Sequence, residues 1–408
     1  MRSNVFVFAG LLSQISAALA LDAPLVGISA TADFDSVYVS LHWEPVAGAA
    51  SYLVYHRPGL DSADSLLGAT SNTWYDTTVP NGWTWYTTPE VQGLFTVVAD
   101  SDLEQVEMVR IPAGQFMMGQ TGWATPVHQV TLDHDFLLGR TEVTNAQCRE
   151  ALQGAFVHPE QTGVAAMAHT VTAYGVELLD LNGDCEITFN GTVFGVNPGR
   201  ESHPVVEVSW YGAACYCDWR SLMSDLPPFY TGQWDQFPGP GNPYLATGFR
   251  LPTEAEWEFA ARGANNNRIQ YPWGNDSINP QKANYWQGEF PIANQIEDDY
   301  LRTAPVAHFS PNPLGLYDMA GNVWEWTADW YHFQHYFQEA KDVMAVDPTG
   351  PEKSFDPDEP TVPKKVIRGG SFLCNDSYCS GYRVSSRMKS SPDTGMEHTG
   401  FRCVMDAD

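Results

Sequence analysis

The sequence predicts a chain of two domains, an all-β unit followed by a larger, loop-rich α+β unit. Three observations carry this. With an N-terminal leader set aside, roughly 390 residues remain, too long for one typical domain and comfortable for two. The composition is globular, 43% hydrophobic and 13% aromatic, and its 34 Gly and 28 Pro favour short strands and loops over a helical bundle. Strict alternation of side chains dominates before residue 100, whereas after Met108 strands run into helix-start signals.

The leader is MRSNVFVFAGLLSQISAALA, residues 1–20. One Arg precedes an apolar run from Val5 to Leu12, and Ala18-Leu19-Ala20 gives the small-x-small pattern of a signal peptidase site. The run is short for a bilayer span. The expectation is export to the periplasm or the extracellular space, with no stable membrane insertion after cleavage. The formal charge is −28, from 49 acidic and 21 basic residues, which disfavours nucleic acid and anionic membrane surfaces as partners.

Residues 22–100 read as all-β. In SVYVSLHWEPVAGAASYLVYHR, Val39, Leu41 and Trp43 share one face of a strand, a Pro/Gly/Ala turn follows, and Tyr52, Val54 and His56 alternate with Leu53 and Tyr55 in a second strand. WTWYTTPEVQGLFTVVADS supplies a later strand. The L-x-W…Y-x-V-Y pattern resembles a fibronectin type III module, an antiparallel β-sandwich. It holds no catalytic constellation and suits a spacer or adhesion module. Residues 101–107 read as a linker to a second domain at 108–408.

In the second domain, HQVTLDHDFLLGRTEVTNAQCREAL predicts a strand and then a helix from about Thr144, capped by Thr or Asn. HPVVEVSWYGAACYCDWRS repeats the design, with a helix from about Tyr211. GFRLPTEAEWEFAARG places Thr253 before Glu254 and Glu256, a further helix start. Residues 331–365 read as a surface excursion. Within LDLNGDCEITFNG, Asp180, Asn182 and Asp184 have calcium-loop spacing, but the glycine is misplaced and no Glu closes the loop. An Asx-rich hairpin is favoured there.

Seven cysteines, at 148, 185, 215, 217, 374, 379 and 403, leave at least one without an intramolecular partner. Cys374 and Cys379 lie in GGSFLCNDSYCSGYR. Their spacing alone favours a disulfide of an exported protein, while two thiolates are also a soft pair suited to Cu(I).

Eight stretches in order, IPAGQFMMG, HPVVEVSWYGA, GFRLPTEAEWEFAARG, YPWGN, NYWQGEFP, PNPLGLYDMAGNVWEWTADW, RGGSFLCNDSYC and GFRC, resemble the formylglycine-generating enzymes, or sulfatase-modifying factors, across residues 107–405. The resemblance implies an irregular α+β fold related to C-type lectins. It implies an oxidase that uses dioxygen and a thiol reductant to convert a cysteine in a Cys-x-Pro-x-Arg segment of an unfolded sulfatase, or a similar polypeptide, to Cα-formylglycine. By resemblance, Cys374 and Cys379 bind Cu(I), Ser371 is the active-site serine, Tyr378 lines the substrate groove, and Arg383 and Arg387 either shape that groove as substrate-binding residues or hold the loop, with the structural role slightly favoured. Calcium is implied in a structural role at two loops. Asn284 and Asp298 match side-chain ligands of the first, with Tyr285 and Tyr300 in carbonyl positions. Asp318 and Glu325 match side-chain ligands of the second, with Met319, Gly321 and Val323 in carbonyl positions. Cys217 and Cys403 match a structural disulfide, a second bridge is replaced by Ala261 and Val384, and Cys148, Cys185 and Cys215 match no pair. Gly381 stands where relatives often have Arg, and His398 where many have Asn, so the substrate segment can differ. Two other readings stay open: a non-catalytic binding or adhesion protein on a lectin-like scaffold, and a related oxidase acting on another protein.

Overall fold

The computed structural model describes residues 106–407 apart from 158–161, 225, 231–240, 267 and 342–344, and before them six β-strands between residues 26 and 100. The signal peptide lies outside the described residues, as does most of the linker. No helix among the described residues is long and apolar enough to cross a membrane. The chain divides into two compact units, Met1–Gln105 and Val106–Asp408.

In the first unit, β1 (Val26–Ala32), β2 (Ser36–Trp43) and β5 (Trp74–Pro80) form one antiparallel sheet in the order β1-β2-β5. Strands β3 (Ser51–Arg57), β4 (Ser65–Thr70) and β6 (Leu94–Asp100) form another, in the order β4-β3-β6. The two alternating segments predicted around the Pro/Gly/Ala turn are β2 and β3, and they belong to different sheets. Packing between these sheets, which the fibronectin-like reading requires, lies outside the described residues.

The second unit starts with β7 (Met108–Ile111), the hairpin β8 (Gly114–Gln120) and β9 (Ala124–Leu132), and β10 (Phe136–Gly139). Helix α1 (Asn145–Val157) begins where Thr144 Oγ1 accepts from Gln147 N and Gln147 Oε1 accepts from Thr144 N. This reciprocal cap satisfies amide groups that a helix start leaves open. A meander of β11 (Val164–Met167), β12 (Thr170–Ala173) and β13 (Val176–Asp180) follows, then the hairpin β14 (Ile187–Phe189) and β15 (Phe194–Val196). Helix α2 (Trp210–Met223) starts at Ser209, whose hydroxyl accepts from Gly212 N. A Cβ on Gly212 would lie 2.0 Å from the Leu178 carbonyl oxygen, so α2 reaches β13 this closely only with glycine there.

Helix α3 (Glu254–Ala261) has the full capping box of Thr253 and Glu256, and every one of its residues is buried. Its glutamates are therefore paired rather than solvated. Glu256 meets Arg250 at 2.7 Å, Glu258 meets Arg262 at 2.7 Å and Arg368 at 2.5 Å, and Glu254 meets Arg368 at 2.9 Å and Arg387 at 2.7 Å. Buried carboxylates persist only with such partners.

The later chain forms the small hairpin β16 (Gly288–Glu289) and β17 (Ala293–Asn294), then β18 (Trp324–Trp330), α4 (His335–Glu339), β19 (Ala345–Val346), β20 (Lys365–Arg368), β21 (Arg387–Ser390), β22 (Thr399–Gly400) and β23 (Val404–Asp406). The largest sheet runs β21-β20-β18-β22, while β23 pairs with β10 beside β7. The predicted surface excursion at 331–365 is anchored rather than free. Tyr336 is buried, Glu339 lies between His128 and His335, and β19 pairs in parallel with β9. Two apolar clusters result: one joins α1, α2 and the meander to the core face of β18, and the other lies between the β8–β9 hairpin and α3.

Candidate functional site

Strand β20 carries the chain to Gly369 and Gly370, both at positive φ (90° and 76°). A Cβ on Gly370 would lie 2.4 Å from Tyr382 N, so the chain folds tightly back on itself here. Ser371 follows, buried, and its carbonyl accepts from Cys374 N at 2.9 Å. Ser371 Oγ accepts weakly from Leu373 N at 3.3 Å. Asn375 closes the turn: its carbonyl accepts from the amides of Tyr378, Cys379 and Ser380, each at 3.1 Å. Asn375 Nδ2 donates to the Gly288 carbonyl at 2.7 Å, and Trp286 N donates to the Cys374 carbonyl at 2.9 Å. These bonds fasten the loop to residues 286–288.

Cys374 and Cys379 are joined as a disulfide, with Cα atoms 5.4 Å apart. Cys374 is 1% exposed, whereas Cys379 is half-buried, so one sulfur faces the core and the other an edge. The bridge is the outcome that spacing alone suggested, and it must be reduced before either sulfur can bind a metal. Once reduced, the donors fit a soft monovalent ion. Two thiolates share one short loop, and no group of three or more His, Cys or acidic side chains among the described residues competes for it. Gly381 abuts both a sulfur and an aromatic ring. A Cβ there would meet Trp324 carbons at 2.3 and 2.4 Å and Cys374 Sγ at 3.0 Å.

Around the loop the aromatic rings form two walls. Tyr378, 69% exposed, stacks on Phe290 with centroids 4.6 Å apart, and Phe290 contacts Trp286. On the other side Tyr382 contacts Tyr285 and Tyr271, Tyr271 stacks on Trp273, and Arg383 lies between Trp123 and Tyr271. Tyr382 Oη donates to Asp376 at 2.6 Å. Trp123 and Phe290 were not singled out from the sequence, although a Trp in the turn of a hairpin is a recognisable signal.

Arg387 takes the structural one of its two expected roles. Its Nε and Nη2 both bond Glu254 at 2.7 Å, and its guanidinium packs on Tyr331 and Tyr336. It braces α3 against β21 instead of serving a groove. The Cys217–Cys403 bridge is a correction. Both are buried free thiols with sulfurs 3.6 Å apart, a hydrogen-bond contact rather than a covalent one. Cys148, Cys185 and Cys215 are also buried free thiols.

The first oxygen-rich loop is tied by its own hydrogen bonds. Asn284 is buried, its Nδ2 donates to the Arg302 carbonyl at 2.8 Å, and its Oδ1 has no partner. Asp298 accepts from the amides of Tyr285 and Tyr300, each at 3.1 Å, and from Gln287 Nε2 at 2.6 Å. Gln287 Nε2 also donates to the Tyr285 carbonyl. An orphaned buried amide oxygen on Asn284, and a carboxylate bonded to the amide of the next residue, are oxygen donors of the kind a hard divalent cation takes.

The second loop fits less well. Both oxygens of Glu325, expected as a side-chain ligand, accept hydrogen bonds, from Arg402 at 2.6 and 2.7 Å and from Trp257 Nε1 at 2.7 Å. Asp318, at φ 55°, accepts from Ala307 N at 2.8 Å; burial, with Glu325 adding to it, pushes its carboxyl up to about 6. The loop carries Met319, buried, Gly321, which donates to the Gly369 carbonyl, and Val323, buried. Glu142, not foreseen, is fully buried with Oε1 unpartnered. Burial and then the neighbouring Asp318 and Glu325 carboxylates hold its carboxyl well above the ordinary range. The Asp180–Asp184 stretch is a run of Asx turns, but it joins β13 to β14, which pair with β12 and β15 and not with each other, so the hairpin expected here is corrected to a connection between two sheets.

A two-cysteine loop with one half-buried sulfur, flanked by aromatic side chains on an irregular α+β frame, is the candidate site. Residues 95–407 match the Sulfatase-modifying factor enzyme 1-like domain, and the chain belongs to that family. It is 36% identical over 321 residues to the formylglycine-generating enzyme of Thermomonospora curvata, covering 73% of this chain and 93% of that one. It is 32% identical over 333 residues to the inactive C-alpha-formylglycine-generating enzyme 2 of Bos taurus, covering 74% and 89%. Among solved structures, Treponema denticola variable protein 1 superposes with a TM-score of 0.52 at 26% identity, covering 73% of this chain and 94% of that one.

Proposed function

We propose that this chain is an exported oxidase that converts a cysteine in a Cys-x-Pro-x-Arg segment of a sulfatase-like polypeptide to Cα-formylglycine. The observation that carries the reading is the paired-cysteine loop, one sulfur buried and one at an edge, in a chain 36% identical to a formylglycine-generating enzyme. The reaction balances as peptidyl-CH2-SH plus dioxygen, two electrons and two protons, giving peptidyl-CHO, hydrogen sulfide and water. A thiol reductant supplies the electrons and first opens the Cys374–Cys379 bridge, itself becoming a disulfide. Cys374 and Cys379 would then hold Cu(I), which supplies one-electron chemistry toward dioxygen that side chains lack. Ser371 Oγ, buried and only weakly bonded, can donate a proton to an entering sulfur or oxygen. Tyr378 and Phe290 form a flat apolar platform against which an extended segment can lie. Bound Ca2+ at Asn284 and Asp298, and at the Asp318 loop, would fix backbone that has few regular hydrogen bonds. The preceding all-β unit serves as a spacer or adhesion module.

The test uses a Cys-x-Pro-x-Arg peptide with Cu(I), oxygen and dithiothreitol. Mass spectrometry should show the aldehyde from wild type and none from Cys374→Ser. Product from the variant, or none from fully metallated wild type, overturns the reading. A second reading, a non-catalytic binding protein, is favoured by the closed bridge and by the inactive relative. A bridge that resists dithiothreitol, with no copper uptake, would select it. Gly381 and His398 motivate a third reading, an oxidase acting on a different segment, which a peptide library would reveal.

A further inference from the structure

Arg383 lies four residues beyond Cys379, in a setting unlike that of the arginines around α3. Those are matched to carboxylates: Arg250 to Glu256, Arg262 to Glu258, Arg368 to Glu254 and Glu258, Arg387 to Glu254. Arg383 instead has its guanidinium 4.5 Å from the Trp123 ring centroid and 5.6 Å from that of Tyr271. Nη1 donates to Gln270 Oε1, and Nε is buried without an acceptor. It has no carboxylate partner among the described residues. Asp376, the acidic side chain that shares the neighbourhood of Tyr271, receives the Tyr382 hydroxyl at 2.6 Å. Trp123, in the turn of the β8–β9 hairpin, is 52% exposed, so this cation is held at the surface beside the cysteine loop.

Resting on the proposed function, we infer that Arg383 is an anion-recognition point for the polypeptide substrate, receiving the carboxylate of an Asp or Glu that flanks the target cysteine. The two rings hold the guanidinium plane in place, so little side-chain freedom is lost when a carboxylate docks. With Nη1 bonded to Gln270 and Nε buried, Nη2 is the donor left to meet a carboxylate, through one charge-assisted bond. The rest of the chain sharpens the selection. With 49 acidic against 21 basic residues, the protein repels acidic segments generally, and an unpaired cation accepts one only at a fixed register.

The test uses capped peptides built around Ser-x-Pro-x-Arg, in which Ser replaces the reactive cysteine, each with Asp or Asn at one flanking position. Binding to the full chain is read by calorimetry and by the change in tryptophan fluorescence that is lost in Trp123→Phe. At one position Asp should bind roughly tenfold more tightly than Asn, the size of one hydrogen bond to a charged group. Arg383→Gln should remove that ratio and leave the Asn peptide's affinity in place. Arg383→Lys should restore only part of it, and added salt should shrink it. Binding retained with no Asp preference at any position overturns this inference alone. Equal weakening of Asp and Asn peptides by Arg383→Gln does so too, because it marks a merely structural role. Failure of every peptide, including cysteine-containing ones, to bind wild type overturns the proposed function itself.

Discussion

The buried charges around α3 can be tested by comparing Glu258→Gln with Arg368→Met. Glu254 and Glu258 carry two negative charges, and Arg262, Arg368 and Arg387 carry three positive ones, so the cluster holds one excess positive charge. Removing Arg368 brings that cluster to neutrality. Glu254 keeps both bonds to Arg387, Glu258 keeps Arg262, and the losses are three hydrogen bonds, including one to the Val384 carbonyl at 2.7 Å. Two acceptors, Glu258 Oε2 and the Val384 carbonyl, lose their donor, at about 1–3 kcal/mol each. Replacing Glu258 raises the excess to two and sets an amide NH2 against the Arg368 donor that Oε2 now accepts at 2.5 Å. Breaking a buried pair in this sense predicts about 3–5 kcal/mol. Guanidinium denaturation followed by tryptophan fluorescence reads the difference, since Trp257 lies beside Arg368. Both midpoints should fall, and charge balance puts Glu258→Gln lower. The reverse order, or losses under about 1 kcal/mol in both, would refute charge balance as the rule here.

Three other outcomes are expected. Gly381→Ala puts a methyl 2.3 Å from the Trp324 ring, so it should lower stability by about 1–3 kcal/mol and slow reduction or metallation of the cysteine loop, read by thermal melting and thiol titration. His128 has the Pro126 carbonyl at 3.1 Å on Nδ1 and Glu339 at 3.0 Å on Nε2, both acceptors, which calls for the imidazolium. Burial opposes that charge but Glu339 and Pro126 outweigh it and raise the pKa, while Glu339, buried yet bonded to His128 and His335, is held down to about 2. The pair's stabilisation is therefore complete below His128's unfolded value and is lost as pH rises through its raised folded value. Melting temperature should fall from neutral to alkaline pH more steeply in wild type than in His128→Gln, and equal slopes would contradict this. Calcium at about a hundred times its dissociation constant should stabilise the second unit by about 2.7 kcal/mol. A chelator should reverse the gain and Asn284→Leu should abolish it, both followed by calorimetry.

Helix starts were legible because caps are local. Thr144 with Gln147, Ser209 with Gly212, and Thr253 with Glu256 each join residues three apart. The cysteine loop was legible as a motif with its glycines. Partners distant in sequence were not. Nothing near Arg383 points to Trp123, and nothing near Glu325 points to Arg402. Arg383 and Arg387 looked alike as close neighbours, yet the chain turns between them and strand β21 sends Arg387 to Glu254. Cys217 and Cys403 were brought together by the fold, but as thiols.

The pairing of β23 with β10 has a consequence for how this unit forms. Phe136 lies opposite Asp406, so a strand near one end of the second unit is completed by one near the other. Such long-range pairing makes folding slow, because the loop it closes spans most of the unit. The β10 edge stays bare until Val404–Asp406 arrives, and Arg250, which braces Glu256, has its backbone paired to Val404 in the same step. Truncation by a few residues at that strand would therefore act far from the cut, leaving an open strand edge prone to association and an α3 without its backbone tether.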